Sequence, residues 1–377
     1  MSGARASRSH DPVLGLAEAT RRMVRLVDHL GRAESRTVEI ATTPSDVVWR
    51  DGKVTLSRYR PAPAASGMVA EPHLGPLLIV HGLVGRQTMT DLEPGRSLVR
   101  RLLAAGVDTF VLDWGNATRA DRLCDMTDYA DYLLGDALEA AAAQSDADGN
   151  RGRAALLGIC QGGVFAAVHA ALYPERLKAL ALAVTPIDFH ADIARPTPGS
   201  GHLNVWLRSL PEALVDRLIE DSGMLSGALS GAVFNGLAPA RTAAKYTTDL
   251  LEIADDPDAL DTFLRMEKWL ADRPDQPGAL ARDWLVGLYR ENRLVAERML
   301  VDNRPVRLAD IACPVLNILA RDDHIVPPPC SRALQACLRN VAYRELEVPT
   351  GHIGVFVSRR GLDRVAPAIA DLLECAA

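Results

Sequence analysis

Residues 154–163 are Ala-Ala-Leu-Leu-Gly-Ile-Cys-Gln-Gly-Gly, and this stretch decides the predicted fold. Its apolar start predicts a strand, and residues 164–173 predict a helix directly after the glycines. A Gly-x-Cys-x-Gly turn in this setting holds a nucleophile on a sharp, strained bend, where many enzymes have serine. The turn leaves no room for a β-carbon beside the nucleophile, which explains Gly158 and Gly162. Because a thiol exchanges acyl groups with thioesters at little thermodynamic cost, Cys160 predicts an acyl-transferring enzyme that uses thioesters.

The composition is that of a globular protein and excludes several classes of function. The 377 residues are 48% hydrophobic and 24% charged, and the net charge of −6 gives no indication of nucleic-acid binding. The six cysteines form no CxxC pair and no metal-ligand spacing, so we expect reduced thiols in a cytoplasmic protein without metal or cofactor. Residues 1–12 lack a secretory signal, and no apolar run reaches the roughly 18 residues of a membrane span.

Predicted strands and helices alternate along most of the chain. Asp51-Gly52 between two strand-like runs predicts a hairpin. Further strands are predicted at 77–80, 109–114, 154–159, 177–184, 314–320 and 343–348, and helices at 94–105, 127–143, 164–173 and 361–375. Continuous apolar strands between helices predict an α/β fold with a mostly parallel, doubly wound sheet that is covered on both faces.

The alternation is interrupted between residues 188 and 307. Helical patterns at 210–219, 256–269 and 283–299 predict an inserted, mainly helical cap there. The expected organisation is an N-terminal extension at 1–44, a first core part at 45–187, the cap at 188–307 and a second core part at 308–377. Residues 13–33 predict an amphipathic helix in the extension, and we favour packing against the main domain over a membrane or partner helix.

A thiol nucleophile needs a base, and the base needs a group that orients it. Alone, Cys160 is equally well explained as a small buried residue, as most free cysteines are. However, the predicted strand at 314–320 runs into Asp322-Asp323-His324, and the last predicted strand runs into Gly351-His352. Nucleophile, acid and histidine follow in this order in enzymes with this kind of sheet. The sequence therefore predicts a triad of Cys160, Asp322 or Asp323, and His352.

The oxyanion of an acyl-transfer intermediate needs backbone N–H donors. One candidate is the amide of Gln161, which follows the nucleophile at the start of a helix. The second donor usually comes from the loop after an early strand, which here is His81-Gly82-Leu83-Val84-Gly85. The amide of Leu83 or of Val84 is therefore the second candidate, although Gly82 and Gly85 are also consistent with a simple turn.

Several motifs resemble one family. The chain is similar to the catalytic subunit of class III polyhydroxyalkanoate synthases, of the α/β-hydrolase superfamily. The resemblance covers roughly residues 45–375 and includes the predicted cap. The motifs that carry it lie at 90–97, 111–115, 126–129, 157–163, 184–189, 263–269, 323–328 and 351–358. The chain departs from the family at 81–85, where a more lipase-like His-Gly stands, and in the length of residues 1–44.

The resemblance implies catalytic roles for Cys160, His352 and Asp323, because the family's acid immediately precedes the histidine of a D-H-[IL]-V-P motif. It implies (R)-3-hydroxyacyl-CoA substrates, usually short-chain such as 3-hydroxybutyryl-CoA, and a polyester deposited as cytoplasmic granules. It also implies a homodimer and a second, non-catalytic subunit. Whether Asp323 or His352 deprotonates the attacking hydroxyl stays open.

Two other classes of function compete with this interpretation. The first is a thioesterase or esterase with the same triad, which the His81-Gly82 pair favours and Cys160 disfavours. The second is a non-catalytic subunit with a relic site, and the intact set of Cys160, Asp323 and His352 speaks against it.

Overall fold

The structure is a computed structural model that describes residues 22–24, 38–61, 72–145, 152–194, 201–220, 222–236 and 239–376. The chain divides into two units. The larger unit contains Ile40–Phe234 and Trp269–Ala377, and the smaller unit contains Met1–Glu39 and Asn235–Lys268. Each unit has a hydrophobic cluster of its own.

The larger unit is built on an eight-stranded sheet of order β1-β2-β6-β3-β7-β8-β13-β14. The strands of the chain are β1 (Ser45–Asp51), β2 (Val54–Tyr59), β3 (Leu74–Val80), β4 (Asp91–Glu93), β5 (Arg96–Ser97), β6 (Val107–Asp113), β7 (Ala154–Ile159), β8 (Leu177–Ala183), β9 (Met224–Leu225), β10 (Gln276–Pro277), β11 (Leu300–Val301), β12 (Arg304–Pro305), β13 (Val315–Ala320) and β14 (Tyr343–Val348). From β6 to β14 all neighbours are parallel, whereas β1 and β2 pair antiparallel as the predicted hairpin. The predicted mostly parallel sheet is confirmed.

Helices cover both faces of the sheet. The α-helices are α1 (Leu98–Ala104), α2 (Leu134–Gln144), α3 (Gln161–Leu172), α4 (Ala191–Ala194), α5 (His202–Ser209), α6 (Glu212–Glu220), α7 (Gly227–Gly236), α8 (Pro239–Ala244), α9 (Leu250–Glu252), α10 (Pro257–Ala271), α11 (Gly278–Arg282), α12 (Pro328–Arg332), α13 (Leu334–Cys337), α14 (Gly354–Val357) and α15 (Arg359–Cys375). Leu78 and Val80 share a core with α2 and α3. Leu77 and Ile79 alternate with them along β3 and face the other side, so every residue of this strand is buried.

Two predicted helices differ from the structure. The helix predicted at 94–105 is confined to α1, because β4 and β5 form a hairpin before it and the Ser97 side chain caps it by accepting from Arg100 N at 2.9 Å. The helix predicted at 283–299 ends early as a π-helical segment, Asp283–Arg290. Turns follow it, with Asn292 and Glu297 at positive φ.

Most of the region predicted as a cap is helical, from α4 to α11. In the larger unit, Leu210 and Val215 pack with Leu285 and Val286 in a cluster of their own. The boundaries predicted for the cap, 188–307, stay a prediction.

The smaller unit is described over part of its length. It contains α8, α9 and most of α10, and its cluster is formed by Ala254 and Leu260. Of the amphipathic helix predicted at 13–33 only residues 22–24 are described, and these are helical; the rest lies outside the described residues. No helix in the described part of the chain has the length and apolar character needed to cross a membrane.

Candidate active site

Cys160 occupies a strained turn between β7 and α3. Its φ of 53° and ψ of −119° lie in a region that non-glycine residues rarely adopt, which costs about 1–3 kcal/mol. Two backbone hydrogen bonds hold this conformation, from Cys160 N to Ala183 O and from Gly163 N to Cys160 O, each of 3.0 Å. The turn places the partly exposed thiol at the carboxyl edge of the parallel sheet, where sites in such folds are found.

Three glycines around Cys160 are required by close packing. A β-carbon on Gly158 would lie 2.4 Å from Gly163 Cα, and one on Gly163 would lie 1.8 Å from Thr185 Oγ1. A β-carbon on Gly162 would lie 2.2 Å from Val80 O, an atom of the backbone that cannot move aside cheaply. The start of α3 therefore lies directly against the end of β3, which brings the nucleophile beside the loop at 81–85.

The structure brings His352 and Asp323 together. Asp323 lies in the loop after β13 and His352 in the loop after β14. Because these parallel strands are neighbours, their loops meet at one edge of the sheet. His352 Nδ1 lies 2.7 Å from Asp323 Oδ2, and the Asp323 side chain is only 1% exposed. Cys160 lies close enough to His352 to raise the pKa of its imidazole, so the structure brings thiol, imidazole and carboxylate together.

The carboxylate of Asp323 is fixed from both sides. Oδ1 accepts hydrogen bonds from Ile325 N and Val326 N, each of 2.9 Å, while Oδ2 faces His352. Asp322 is exposed and pairs with Arg321 at 3.2 Å. Of the two aspartates left open by the residue pattern, the structure places Asp323 against the histidine.

The charges around His352 raise the pKa of its imidazole. Burial alone lowers this pKa, but the negative charge of Asp323, the charge of Cys160 and the hydrogen bonds to both raise it well above 6.5. The site therefore stabilises an imidazolium beside the thiol, which is the form that accompanies a thiolate nucleophile.

One of the two candidate oxyanion donors in the 81–85 loop is already bonded. Leu83 N donates to Gln161 Oε1 at 3.0 Å, and both groups are buried. A β-carbon on Gly82 would lie 2.8 Å from Gln161 Cβ, so the glycine permits this contact. The structure shows no hydrogen bond for Val84 N among the residues it describes. The side chain of Gln161 therefore anchors the loop beside its own backbone amide.

Two tryptophans that sequence reasoning missed hold the loop that follows β3. Trp114 Nε1 donates to His81 O at 2.8 Å, and Trp269 Nε1 donates to Arg86 O at 2.8 Å. The ring of Trp269 stands edge-on to the His81 ring at 6.5 Å, and burial lowers the pKa of His81 to about 4. Trp114 and Trp269 both lie in stretches that carry the family resemblance, which is the signal that could have found them.

The remaining cysteines lie outside this arrangement, and all six are free thiols. Among the described residues, no group of three or more His, Cys, Asp or Glu side chains is placed to hold a metal ion.

Comparison with known proteins agrees with the geometry. Residues 75–358 match the family model of the alpha/beta hydrolase fold. The chain is 35% identical over 360 residues to the poly(3-hydroxyalkanoate) polymerase subunit PhaC of Allochromatium vinosum, covering 95% of this chain and 96% of that protein. The protein of the same name from Thiocystis violacea is 34% identical over 337 residues, covering 89% and 90%.

A solved structure with the same fold is that of a soluble variant of monoglyceride lipase from Saccharomyces cerevisiae in complex with a substrate analog. Its TM-score is 0.52 at 13% identity, and the match covers 91% of this chain and 99% of that chain. At this identity the likeness shows the fold alone.

The close contact between Gly162 and β3 predicts a stability effect. We expect Gly162→Ala to lower the free energy of unfolding by about 3 kcal/mol, because the new methyl group meets the Val80 carbonyl. Urea unfolding of both proteins measures the difference. Gly95→Ala is the matched control, since nothing lies within 4 Å of its β-carbon position. Equal stability of Gly162→Ala and the control would contradict the packing argument.

The pair of His352 and Asp323 predicts a titration. In NMR spectra of the imidazole, the pKa of His352 should lie above 6.5 and should fall in Asp323→Asn, which removes the facing charge. Asp322→Asn should leave this pKa unchanged, because that carboxylate faces Arg321. Since the folded pKa is the higher one, the pair's contribution to stability is complete below pH about 6.5 and is lost as the pH rises through the folded pKa. An equal shift in both variants would refute the assignment.

Proposed function

This chain belongs to the family of poly(3-hydroxyalkanoate) polymerase subunits, and we propose that it polymerises (R)-3-hydroxyacyl-CoA into polyester with release of coenzyme A. Short-chain monomers such as 3-hydroxybutyryl-CoA are the proposed substrates. The observation that carries the proposal is the placement of Cys160, on its strained turn, beside the buried pair of His352 and Asp323. A thiol nucleophile suits thioester substrates better than esters.

The first proposed step acylates the enzyme. His352 holds the proton of Cys160, and the thiolate attacks the thioester carbonyl of a hydroxyacyl-CoA. The bond between the acyl carbon and the sulfur of coenzyme A breaks, and His352 returns the proton to the departing thiolate. The acyl group is then bound to Cys160 as a thioester, so the exchange costs little free energy.

The second proposed step forms the ester bond. The 3-hydroxyl of an incoming monomer attacks the acyl carbon on Cys160, His352 accepts the hydroxyl proton, and the carbon–sulfur bond to Cys160 breaks. The extended chain remains a coenzyme A thioester, and attack by Cys160 on it releases coenzyme A and restores the acyl-enzyme. Each cycle adds one monomer and liberates one coenzyme A.

His352 is the better candidate for the base in both steps. Both carboxylate oxygens of Asp323 are engaged, Oδ2 by His352 Nδ1 and Oδ1 by the amides of Ile325 and Val326. At 1% exposure its carboxylate offers no face to a substrate hydroxyl. We therefore assign Asp323 the role of orienting His352 and stabilising the imidazolium.

The proposed oxyanion hole consists of the backbone amides of Gln161 and Val84. Leu83, the other candidate in this loop, donates its amide to Gln161 Oε1. That contact supports Leu83 as an anchor of the loop and leaves Val84 as the donor. Gln161 then contributes twice, through its own amide and through the side chain that positions the loop.

The assembly of this chain and its location in the cell are also proposals. Both relatives are named as polymerase subunits, which supports a second, non-catalytic subunit for this chain too. We propose a homodimer as the assembly of the catalytic chain and the surface of cytoplasmic polyester granules as its location.

Replacement of the nucleophile tests the proposed activity. With (R)-3-hydroxybutyryl-CoA, the wild type should release coenzyme A and turn turbid, and Cys160→Ala should lose both because no acyl-enzyme forms. Cys375→Ala, at an exposed cysteine in α15, should behave as the wild type. Coenzyme A release with free acid and no turbidity would establish a thioesterase instead. If nothing is released, the assay is repeated with the candidate second subunit.

The contact between Gln161 and Leu83 predicts a kinetic effect. In Gln161→Leu the loop loses its anchor, so we expect the first-turnover release of coenzyme A to slow at least tenfold while KM changes little. The free energy of unfolding should fall by only about 1 kcal/mol, the net value of one hydrogen bond. The control is Gln335→Leu at an exposed position of α13. An unchanged first turnover in Gln161→Leu would show that the anchor is dispensable.

A further inference from the structure

An apolar cavity of about 240 Å³ lies among α5, α6, α7 and residues 278–290 of the larger unit. Near the nucleophile it is lined by Val84, Gln161 and Tyr289. Gln161 follows Cys160 directly in the chain, and Val84 belongs to the loop that the Gln161 side chain holds through Leu83 N. The cavity therefore begins at the site described above.

The far end of the cavity reaches solvent. Trp206, Leu214 and Leu229 line it and are 39%, 42% and 40% exposed, respectively. These three residues come from α5, α6 and α7, so the opening lies between the three helices. Large apolar side chains that both line a cavity and meet solvent mark a place where an apolar ligand passes.

The apolar walls of the cavity disfavour charged ligands. Eight leucines line the cavity and no charged side chain does, and the polar side chains are few. Burial of the phosphates of coenzyme A there would cost far more free energy than these walls return. A polyester segment has alkyl groups and ester oxygens but no N–H or O–H donor along its length, so little polar desolvation opposes its burial.

The apolar residues of the surrounding helices indicate that the cavity is a regular feature of the fold and not a packing defect. Along α5 and the residue after it, Leu203, Trp206, Leu207 and Leu210 follow helical spacing and line the cavity with one face. Such a stripe normally packs against a core, and an empty void costs stability in proportion to its volume. A face of this kind around an open space indicates an occupant that is supplied during turnover.

We propose that this cavity holds the growing polyester chain on Cys160 and leads its distal end to solvent between α5, α6 and α7. The inference rests on the proposed polymerase function and adds a product site to it. The incoming coenzyme A thioester must then approach Cys160 by another route, because the apolar cavity is filled by product.

Narrowing the outer end of the cavity tests the inference. Leu214→Trp should leave the first-turnover release of coenzyme A unchanged, because the first acyl group needs only the inner end. Continued release should fall at least tenfold, and the product should be at least tenfold shorter by size-exclusion chromatography. Val205→Trp is the matched control: Val205 is 59% exposed on α5 and does not line the cavity, so its polymer should have the wild-type length.

Leu229→Trp narrows the same opening from α7. Loss of the first turnover in Leu214→Trp would show that this variant does not fold, and Leu229→Trp then provides the test. Polymer of wild-type length and rate from a folded variant would overturn the inference. A second result would also overturn the inference: polymer of unchanged length, together with a first-turnover substrate preference that shifts from (R)-3-hydroxyoctanoyl-CoA to (R)-3-hydroxybutyryl-CoA. The cavity would then hold only the side chain of a monomer. If the wild-type protein yields free acid and no polymer, the proposed function itself is overturned.

Discussion

The close approach of α3 to the end of β3 is the constraint on which the site depends. Gly162 has no β-carbon, so the first turn of α3 rests on the Val80 carbonyl. This contact and the hydrogen bond from Cys160 N to Ala183 O determine the backbone of Cys160, which alone would relax out of its strained φ. The same approach brings the loop at 81–85 within reach of the Gln161 side chain. One packing contact thus positions both Cys160 and the proposed oxyanion donors.

The environments of Asp323, His81 and His352 differ, and of these three groups His352 is the one best placed to exchange a proton with a substrate. Asp323 is buried, and both of its carboxylate oxygens are bonded, to two backbone amides and to His352. The negative charge of Asp323 raises the pKa of the His352 imidazole well above 6.5. His81, though buried nearby, has its pKa lowered to about 4 and stays neutral. This difference supports His352, and not His81, as the proposed proton carrier of the site.

Local sequence patterns predicted much of this arrangement. They did not predict contacts between residues that are far apart in the sequence. The turn at Cys160 and the loops that carry Asp323 and His352 follow strands, so apolar runs and chain order were enough to place them. The bond between Leu83 and Gln161 joins residues 78 positions apart, and no spacing rule predicts such a contact. The helix predicted at 283–299 was wrong in its second half, because apolar spacing continues past Arg290 while the backbone of Asn292 turns to positive φ. The cavity depends on where the apolar faces of α5, α6 and α7 point in space, which periodicity does not specify.

In the proposed mechanism, the acyl-enzyme must react with a hydroxyl faster than with water. The composition of the cavity bears on this competition. Gln161, which follows Cys160, lies at its inner end, and leucines line the rest of it. A product chain that fills the apolar cavity removes the space in which water would otherwise collect beside the thioester. The longer the chain becomes, the more apolar surface it keeps out of water, so retention of the product and protection of the acyl-enzyme have the same physical cause. Polymerisation and hydrolysis on one triad are then distinguished by what fills the cavity and not by the triad itself.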